Sequence, residues 1–106
     1  MGQAADRFGE HLAEGPDAAA RASRELAVAL EEERGRLGAV RPGRADIAEA
    51  HARMLGAVDE LAGAMRFLGD ALAARDETRR EPARTRLRGA MERWRVGVEA
   101  VRRVCP

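Results

Sequence analysis

The stretch DIAEAHARMLGAVDELAGAMRFLGDAL, residues 46–72, decides the fold of this chain. With His51 as the one exception, apolar residues fill three of the seven positions of a heptad repeat. These positions hold Ile47, Met54, Leu61 and Leu68; Ala50, Ala57, Ala64 and Ala71; and His51, Val58, Met65 and Leu72. An apolar stripe over nearly four heptads predicts a helix packed along its whole length against other helices. Alanine at one fixed position of each heptad predicts that a partner backbone comes close.

Turn-forming residues before this stretch predict a helical hairpin. Residues 38–44, GAVRPGR, contain two glycines and one proline, which is the composition of a chain reversal. Before the turn, apolar side chains recur at helical spacing over residues 17–37. After it, Asp46 and Glu49 match a variant of the capping box, in which side chains bind the free backbone amides of a first turn. These signals predict helices over about 17–37 and 46–75.

A polar segment, residues 76–81, precedes the last predicted helix, over about 79–104. This helix begins either at Thr78, with Glu81 completing a capping box, or at Pro82 as its first residue. Both starts place the same apolar side chains within about 60° of one line on the helix. They are Ala83, Leu87, Ala90, Met91, Trp94, Val98, Val101 and Cys105.

A short helical segment over about 3–14 comes before the others, and Gly15-Pro16 ends it. No stretch shows the alternation of apolar and polar residues that is typical of strands. The 106 residues are enough for one domain of ordinary size. The sequence therefore predicts a single all-α domain over residues 1–106, an antiparallel three-helix bundle with a short additional N-terminal helix.

The composition is strongly skewed. All 19 basic residues are arginine, alanine occurs 23 times, and lysine, asparagine and tyrosine are absent. GC-rich coding, as in a GC-rich bacterium, disfavours the missing residue types, so the arginines are weaker evidence for nucleic-acid binding than usual. Alanine also makes up almost half of the hydrophobic residues, which predicts a thin core.

Several classes of protein are disfavoured by what the sequence lacks. No run approaches the roughly 18 to 20 apolar residues that span a bilayer, and the N-terminus lacks the apolar stretch of a signal peptide. Cys105 is the single cysteine, which excludes an internal disulfide framework and a multi-cysteine zinc site. No nucleotide-binding loop and no paired metal carboxylates occur. We expect a cytoplasmic protein with no membrane association, no cofactor and no enzymatic activity.

Formal charge is unevenly distributed along the chain. Residues 1–37 carry 8 acids and 5 arginines, residues 38–77 carry 7 and 5, and residues 78–106 carry 3 and 9. One line of arginines on the last helix is a candidate surface for nucleic-acid phosphates. Its members are Arg84, Arg88, Arg95 and Arg102. The alternative, which interleaved glutamates favour, is pairing with acids on neighbouring helices, first of all with Glu31-Glu32-Glu33.

Glu33 and His51 are polar at positions where the helical pattern calls for apolar side chains. In an antiparallel hairpin turning through residues 38–45, Glu33 lies across from about residue 50, and the second turn brings Cys105 level with His51. We therefore expect these three side chains at one end of the bundle. Such a trio offers an activated thiol or three metal ligands. A structural histidine–carboxylate pair that fixes the helix register is the favoured interpretation.

Interaction with other proteins is the function class that these patterns favour. Four apolar side chains lie off the predicted faces and remain available to a partner: Val28, Leu55, Phe67 and Val96. A thin core also favours a domain that is completed by association. We expect a small interaction or assembly protein that binds itself, as a homo-oligomer, or another helical protein. Nucleic-acid binding by the last helix is the alternative, and a thiol or metal site is the third hypothesis.

Overall fold

The computed structural model describes residues 2–11 and 14–105, apart from the side chains of Arg7 and His11. This part of the chain forms four α-helices and contains no strand. The helices are α1, Gly2–His11; α2, Pro16–Gly38; α3, Ala45–Ala73; and α4, Glu77–Val104. The prediction of an all-α helical bundle is confirmed. The predicted end of the first helix, at residues 12–14, falls partly outside the described residues.

α3 is the central element of the bundle. It packs against both α2 and α4, and α1 packs on α2. Among the described residues, no Cα atom of α2 lies within 8 Å of a Cα atom of α4. The molecule is elongated, with principal extents of 46, 24 and 20 Å. Two helices that share only a central neighbour leave a cleft between them, which their larger side chains and Phe8 of α1 fill in part.

The alanines of the α3 stripe are buried. Ala50, Ala57, Ala64 and Ala71 are each at most 4% exposed. Larger side chains of α3 join both neighbouring helices in one core cluster. Its members are Ala27 and Leu30 of α2, Val58, Ala62, Met65 and Leu68 of α3, and Ala83 of α4. Small residues on α3 therefore let its neighbours approach, and the larger ones fill the remaining space.

α2 and α3 come very close at Gly69. A Cβ atom built there would lie 3.3 Å from the Ala20 carbonyl oxygen and 3.3 Å from Ser23 Cβ. Ser23 is fully buried, and its hydroxyl donates a hydrogen bond of 2.8 Å to the Ala19 carbonyl. The polar group is therefore paired inside the helix contact. An apolar pattern does not mark Ser23 as a core position, because its hydroxyl makes serine polar.

α4 turns its smallest residues toward α3. Ala83, Ala90 and Gly97 are buried at intervals of seven residues, and a Cβ atom at Gly97 would lie 2.8 Å from Met54 Sδ. The prediction that Met91 belongs to the core face is wrong, because this side chain is 56% exposed. Close helix contact at alanine and glycine sets the rotation of α4 and leaves Met91 at the side.

The predicted capping box of α3 does not form. α3 begins at Ala45, and the preceding Arg44 makes no side-chain cap. Asp46 pairs with the Arg44 guanidinium at 2.6 Å, and Glu49 pairs with Arg53 at 3.0 Å. Asp46 also accepts a hydrogen bond of 2.9 Å from the Ile47 amide, so it binds one backbone amide as predicted, whereas Glu49 binds a guanidinium in place of an amide.

α4 begins at Glu77, earlier than either predicted start. Asp76 is its N-cap, and its Oδ1 atom accepts hydrogen bonds from the Thr78 amide at 3.0 Å and the Thr78 hydroxyl at 2.6 Å. Pro82 lies inside the helix, and Glu81 forms an ion pair further along α4. The aspartate cap satisfies the Thr78 amide, which Glu81 would have bound in the predicted capping box.

Candidate functional site

His51 lies where the end of α2 meets α3. Its Nε2 atom is 2.6 Å from the Leu37 carbonyl oxygen, so this nitrogen carries a proton and donates the hydrogen bond. The last four carbonyls of a helix lack partners within the helix. The half-buried His51 ring therefore gives the Leu37 carbonyl a second donor, beside the Val40 amide at 3.2 Å.

A small apolar cavity of about 130 Å³ opens beside His51. Its other lining residues include Leu37, Ile47, Met54, Val101 and Cys105. Cys105 is an exposed free thiol. The structure thus brings the histidine and the cysteine to the same cavity, at the end of the bundle where α2 and α4 end.

Glu33 is engaged elsewhere. Its carboxylate accepts a hydrogen bond from Arg36 of the same helix, which holds the pKa of Glu33 below its ordinary value. The adjacent Arg34 reaches Asp59 at 3.1 Å, about two helical turns along α3 from His51. Among the described residues, no three histidine, cysteine, aspartate or glutamate side chains are placed to share a metal ion.

The offset between α2 and α3 explains the separation of Glu33 from His51. Glu31 accepts hydrogen bonds of 2.5 and 2.7 Å from Arg66, whereas a hairpin with level helix ends would put Glu31 across from about residue 52. The connection over residues 39–44 is long enough that the two helix ends need not lie level. Each α2 residue therefore lies opposite an α3 residue with a higher number than a hairpin with level helix ends would give.

The arginine line of α4 pairs mainly within its own helix. Arg88 binds Glu81 at 3.1 Å, and Arg95 binds Glu92 at 2.5 Å and Glu99 at 2.6 Å. These hydrogen-bonded carboxylates raise the pKa of the Arg95 guanidinium. Exposed ion pairs of this kind contribute little to stability individually.

The remaining members of the line, Arg84 and Arg102, form no ion pair within the part of the chain that the structure describes. The run Glu31-Glu32-Glu33 is not their partner, because it lies on α2, whose described Cα atoms all lie more than 8 Å from those of α4. Glu31 binds α3 instead, and a different arginine, Arg93, reaches Glu60 of α3. The expected pairing between the acidic run and α4 is therefore wrong.

Two of the four predicted interaction residues are exposed. Val28 is 45% exposed and Val96 is 42% exposed. Leu55 is half-buried. Phe67 is half-buried, packs against the core cluster, and lies 5.5 Å from the Arg86 guanidinium, measured to the ring centroid. Intramolecular contacts therefore account for Phe67, while Val28 and Val96 remain on the surface.

A larger cleft, here called the N-terminal cleft, opens where all four helices meet and has a volume of about 400 Å³. Its apolar walls include Phe8, Ala19, Leu68, Leu72 and Leu87, and its charged residues are Arg80 and Arg84. The sequence did not predict this cleft. It depends on α2 and α4 being held apart, which the pattern of a single helix does not encode.

Within the described residues, none of the helices is long and apolar enough to cross a lipid bilayer. The chain matches no protein-family model, no curated protein and no solved structure.

Proposed function

We propose that this chain is a small cytoplasmic interaction protein that assembles with copies of itself. The observation that carries the proposal is a pair of exposed apolar side chains, Val28 on α2 and Met91 on α4, with opposite charges around them. A carboxylate-rimmed patch on one copy and a guanidinium-rimmed patch on the next are complementary in charge and in apolar character.

The acidic patch consists of Glu25, Val28 and Glu32 on α2. These residues are three and four positions apart and therefore share one helix face. They line one shallow depression together with Ala4 of α1, Ala29, and Arg24, whose guanidinium pairs with Asp70 of α3. Because almost half of the Val28 side chain faces water, covering it with another copy removes apolar surface from solvent.

The basic patch consists of Arg88, Met91 and Arg95 on α4. The arginines lie three positions before and four positions after Met91, so all three side chains share one helix face. Nine arginines against four acids over Glu77–Val104 leave α4 positively charged despite its internal ion pairs. Val96 adds further exposed apolar surface to the same helix.

The two patches lie on helices with no Cα atoms within 8 Å of each other among the described residues, so one copy can use both patches at once. Contact between unlike patches of successive copies is a head-to-tail interface, which builds chains or closed rings instead of a two-fold dimer. Such contacts would also cover apolar surface that the thin core leaves exposed.

We also propose that the three long helices run antiparallel in chain order. Ion pairs between α2 and α3 support this topology, because residue numbers that rise along α2 have partners whose numbers fall along α3. The pairs are Asp17 with Arg75, Arg24 with Asp70, and Arg34 with Asp59. Contacts between α3 and α4 follow the same rule: Ala57 lies near Gly97, Glu60 binds Arg93, and Phe67 lies beneath Arg86.

Sedimentation equilibrium tests self-association. The wild type is expected to associate at tens of micromolar protein in about 50 mM salt and to shift toward monomer in about 1 M salt, because salt screens exposed charges. Met91→Gln should weaken association at both salt concentrations, since it removes the apolar centre of the basic patch. A wild type that stays monomeric under both conditions contradicts the proposal.

Mixing two variants tests the head-to-tail arrangement. Arg88→Gln/Arg95→Gln disables the basic patch, and Glu25→Gln/Glu32→Gln disables the acidic patch. Each variant alone should be monomeric, whereas their equimolar mixture should form a dimer, because each supplies the patch that the other lacks. Glu49→Gln, an exposed change outside both patches, is the control and should associate like the wild type. A mixture that stays monomeric contradicts this interface but not self-association.

Nucleic-acid binding by α4 is the second candidate function. It is favoured by Arg84 and Arg102, which are exposed and form no ion pair within the described residues. Fluorescence anisotropy with labelled duplex DNA tests it. Binding should weaken steeply as salt rises, and Arg102→Ala should reduce both the affinity and the salt dependence. Absence of binding at low salt excludes this candidate.

A further inference from the structure

We propose that the N-terminal cleft binds a single-chain amphiphilic anion, such as a medium-chain carboxylate. The alkyl chain would lie among the apolar walls and the carboxylate would lie on Arg84. This site is independent of the self-association proposed above, because the cleft lies between the helices and includes neither Val28 nor Met91.

The apolar walls of the cleft carry the first part of the proposal. Phe8, Leu72 and Leu87 pack against the core cluster but are only half-buried, so each keeps apolar surface accessible. Leu68 and Ala19 are buried and line the same cleft. The volume of about 400 Å³ lies within the range of small-molecule sites, which are mostly apolar with a few placed polar groups.

The charged residues of the cleft support the second part of the proposal, which is the position of the ligand's carboxylate. The two charged residues among the described lining residues are Arg80 and Arg84, one helical turn apart on α4. Arg80 binds Glu77 at 3.2 Å, whereas Arg84 forms no ion pair within the described part of the chain. A guanidinium group offers two parallel donors to a carboxylate, which makes it the preferred partner of that group. The cleft therefore joins an apolar interior to an available anion-binding side chain.

The size of the cleft favours an alkyl chain over a helix from another protein. A helix with its side chains is about 10 to 12 Å in diameter and rises about 5.4 Å per turn, so roughly one turn would fill the observed volume. The rest of a helical partner would lie outside the cleft. A flexible single chain can instead bury most of its length there.

Isothermal titration calorimetry with octanoate, decanoate and octanol, each below its micellar or solubility limit, tests the proposal. We expect one equivalent of decanoate to bind, roughly 15-fold more tightly than octanoate, because each buried methylene contributes about 0.8 kcal/mol. Arg84→Ala should weaken octanoate binding about three- to tenfold while leaving octanol binding unchanged. Arg103→Ala, at an exposed arginine near the end of α4 and outside the cleft, should leave both unchanged.

A cavity-filling variant distinguishes binding in the cleft from binding elsewhere on the surface. Ala19→Leu should reduce the affinity for all three probes at least tenfold without changing the helical circular dichroism signal. The proposal is overturned if the wild type binds no decanoate, if Arg84→Ala and Arg103→Ala weaken octanoate binding equally, or if folded Ala19→Leu binds like the wild type. Co-sedimentation with phosphatidylglycerol vesicles that survives Ala19→Leu would indicate a lipid surface as ligand and would also overturn it.

Discussion

Gly56 and Gly69 lie on the same helix in opposite surroundings. A Cβ atom at Gly56 would have no neighbour within 4 Å, whereas one at Gly69 would lie 3.2 to 3.3 Å from three atoms of α2, including the Ala20 carbonyl oxygen. Glycine costs a helix interior about 1 kcal/mol relative to alanine. The space around each glycine therefore decides whether alanine improves stability.

Gly56→Ala is expected to raise the free energy of unfolding by about 1 kcal/mol. Gly69→Ala gains the same helix propensity but must displace the α2 backbone, so we expect it to lower the free energy of unfolding by up to about 2 kcal/mol. Urea denaturation measures both changes. Equal stabilisation by the two substitutions would contradict the close approach of α2 and α3.

His51→Ala is expected to lower the free energy of unfolding by about 1 to 3 kcal/mol, because it removes a half-buried ring and the donor to the Leu37 carbonyl. His51→Gln keeps an amide donor and should recover part of this loss. Alkylation of Cys105 by iodoacetamide is the second readout, and both variants should match the wild-type rate because His51 binds a backbone carbonyl. Markedly slower alkylation in folded His51→Gln would instead support an activated thiol.

At the scale of the helices, the start of α4 depends on Asp76. Asp76→Ala removes the acceptor for the Thr78 amide and hydroxyl, and we expect the midpoint of thermal unfolding to fall by about 3 to 8 °C at pH 7. Asp76→Asn keeps a capping oxygen and should stay within about 2 °C of the wild type. Differential scanning calorimetry compares the three proteins. An unchanged midpoint in Asp76→Ala would place the start of α4 elsewhere.

The same cap has a defined pH dependence. The hydrogen bond from the Thr78 hydroxyl is the largest cause that holds the pKa of Asp76 below its ordinary value of 3.8. A carboxyl whose pKa is lowered by folding contributes stability above its unfolded pKa and loses it as pH falls through the folded value. The difference in thermal unfolding midpoint between wild type and Asp76→Ala should therefore be larger at pH 7 than near pH 2.

The helices could be predicted from the sequence because each has its own apolar period and its own breakers. The repeat of Ala50, Ala57 and later alanines marked α3, and the Gly/Pro turn separated it from α2. The rotation of α4 could not be predicted in the same way. Large apolar residues such as Met91 dominate a helical pattern, whereas the actual contact uses Gly97 and the alanines, whose small size lets the backbones approach.

The candidate site was less predictable than the helices because it depends on the offset between them. His51 and Cys105 line one cavity, while Glu33 binds Arg36 within α2. A six-residue connection fixes neither the offset along the helix axes nor the angle between two helices. An offset of a few residues between α2 and α3 places a side chain of α2 opposite a different turn of α3. The N-terminal cleft depends on splay as well, so only the structure reveals it.

At the scale of the whole molecule, α3 keeps α2 and α4 apart. This separation accounts for the N-terminal cleft and for the failure of α4 to pair with the acidic run of α2, and it keeps the two proposed patches apart. Ion pairs between α2 and α3 supplement the packing of Ala27, Leu30 and Ser23 against α3. The bidentate pair between Glu31 and Arg66 is the shortest of these pairs across α2 and α3.

Stability should decrease in acid because of such pairs. The hydrogen bond from Arg66 is the largest cause that lowers the pKa of Glu31 below its ordinary value of 4.5. The unfolded chain binds this proton first as pH falls, so the pair should stabilise the fold fully above about pH 5.5 and progressively less toward pH 3. Urea midpoints of wild type and Arg66→Gln should differ at pH 7 and converge toward pH 3. If the difference in urea midpoint stays the same from pH 7 to pH 3, the ion pair does not make stability depend on protonation of Glu31.

The arrangement of α3 and α4 can be tested by an engineered disulfide. A Cβ atom at Gly97 would lie 3.8 Å from Ala57 Cβ, which is the mean Cβ separation in disulfides, about 3.8 Å. In a Cys105→Ser background, Ala57→Cys/Gly97→Cys is therefore expected to form a disulfide under mild oxidation, with the flexible Met54 side chain moving aside, because its Sδ atom would lie 2.8 Å from the new Cβ atom. The closed loop of about 40 residues should raise the free energy of unfolding by up to about 4 kcal/mol.

Gly89 supplies the matched control for this disulfide. It lies on α4 about 12 Å along the helix from Gly97, and a Cβ atom there would have no neighbour within 4 Å. Ala57→Cys/Gly89→Cys should therefore stay reduced under the same oxidation, as measured by mass spectrometry after thiol labelling. Rapid oxidation of both pairs would mean that α4 slides along α3. Oxidation of the Gly97 pair alone would support the antiparallel register and the rotation that exposes Met91, because both follow from Gly97 facing Ala57.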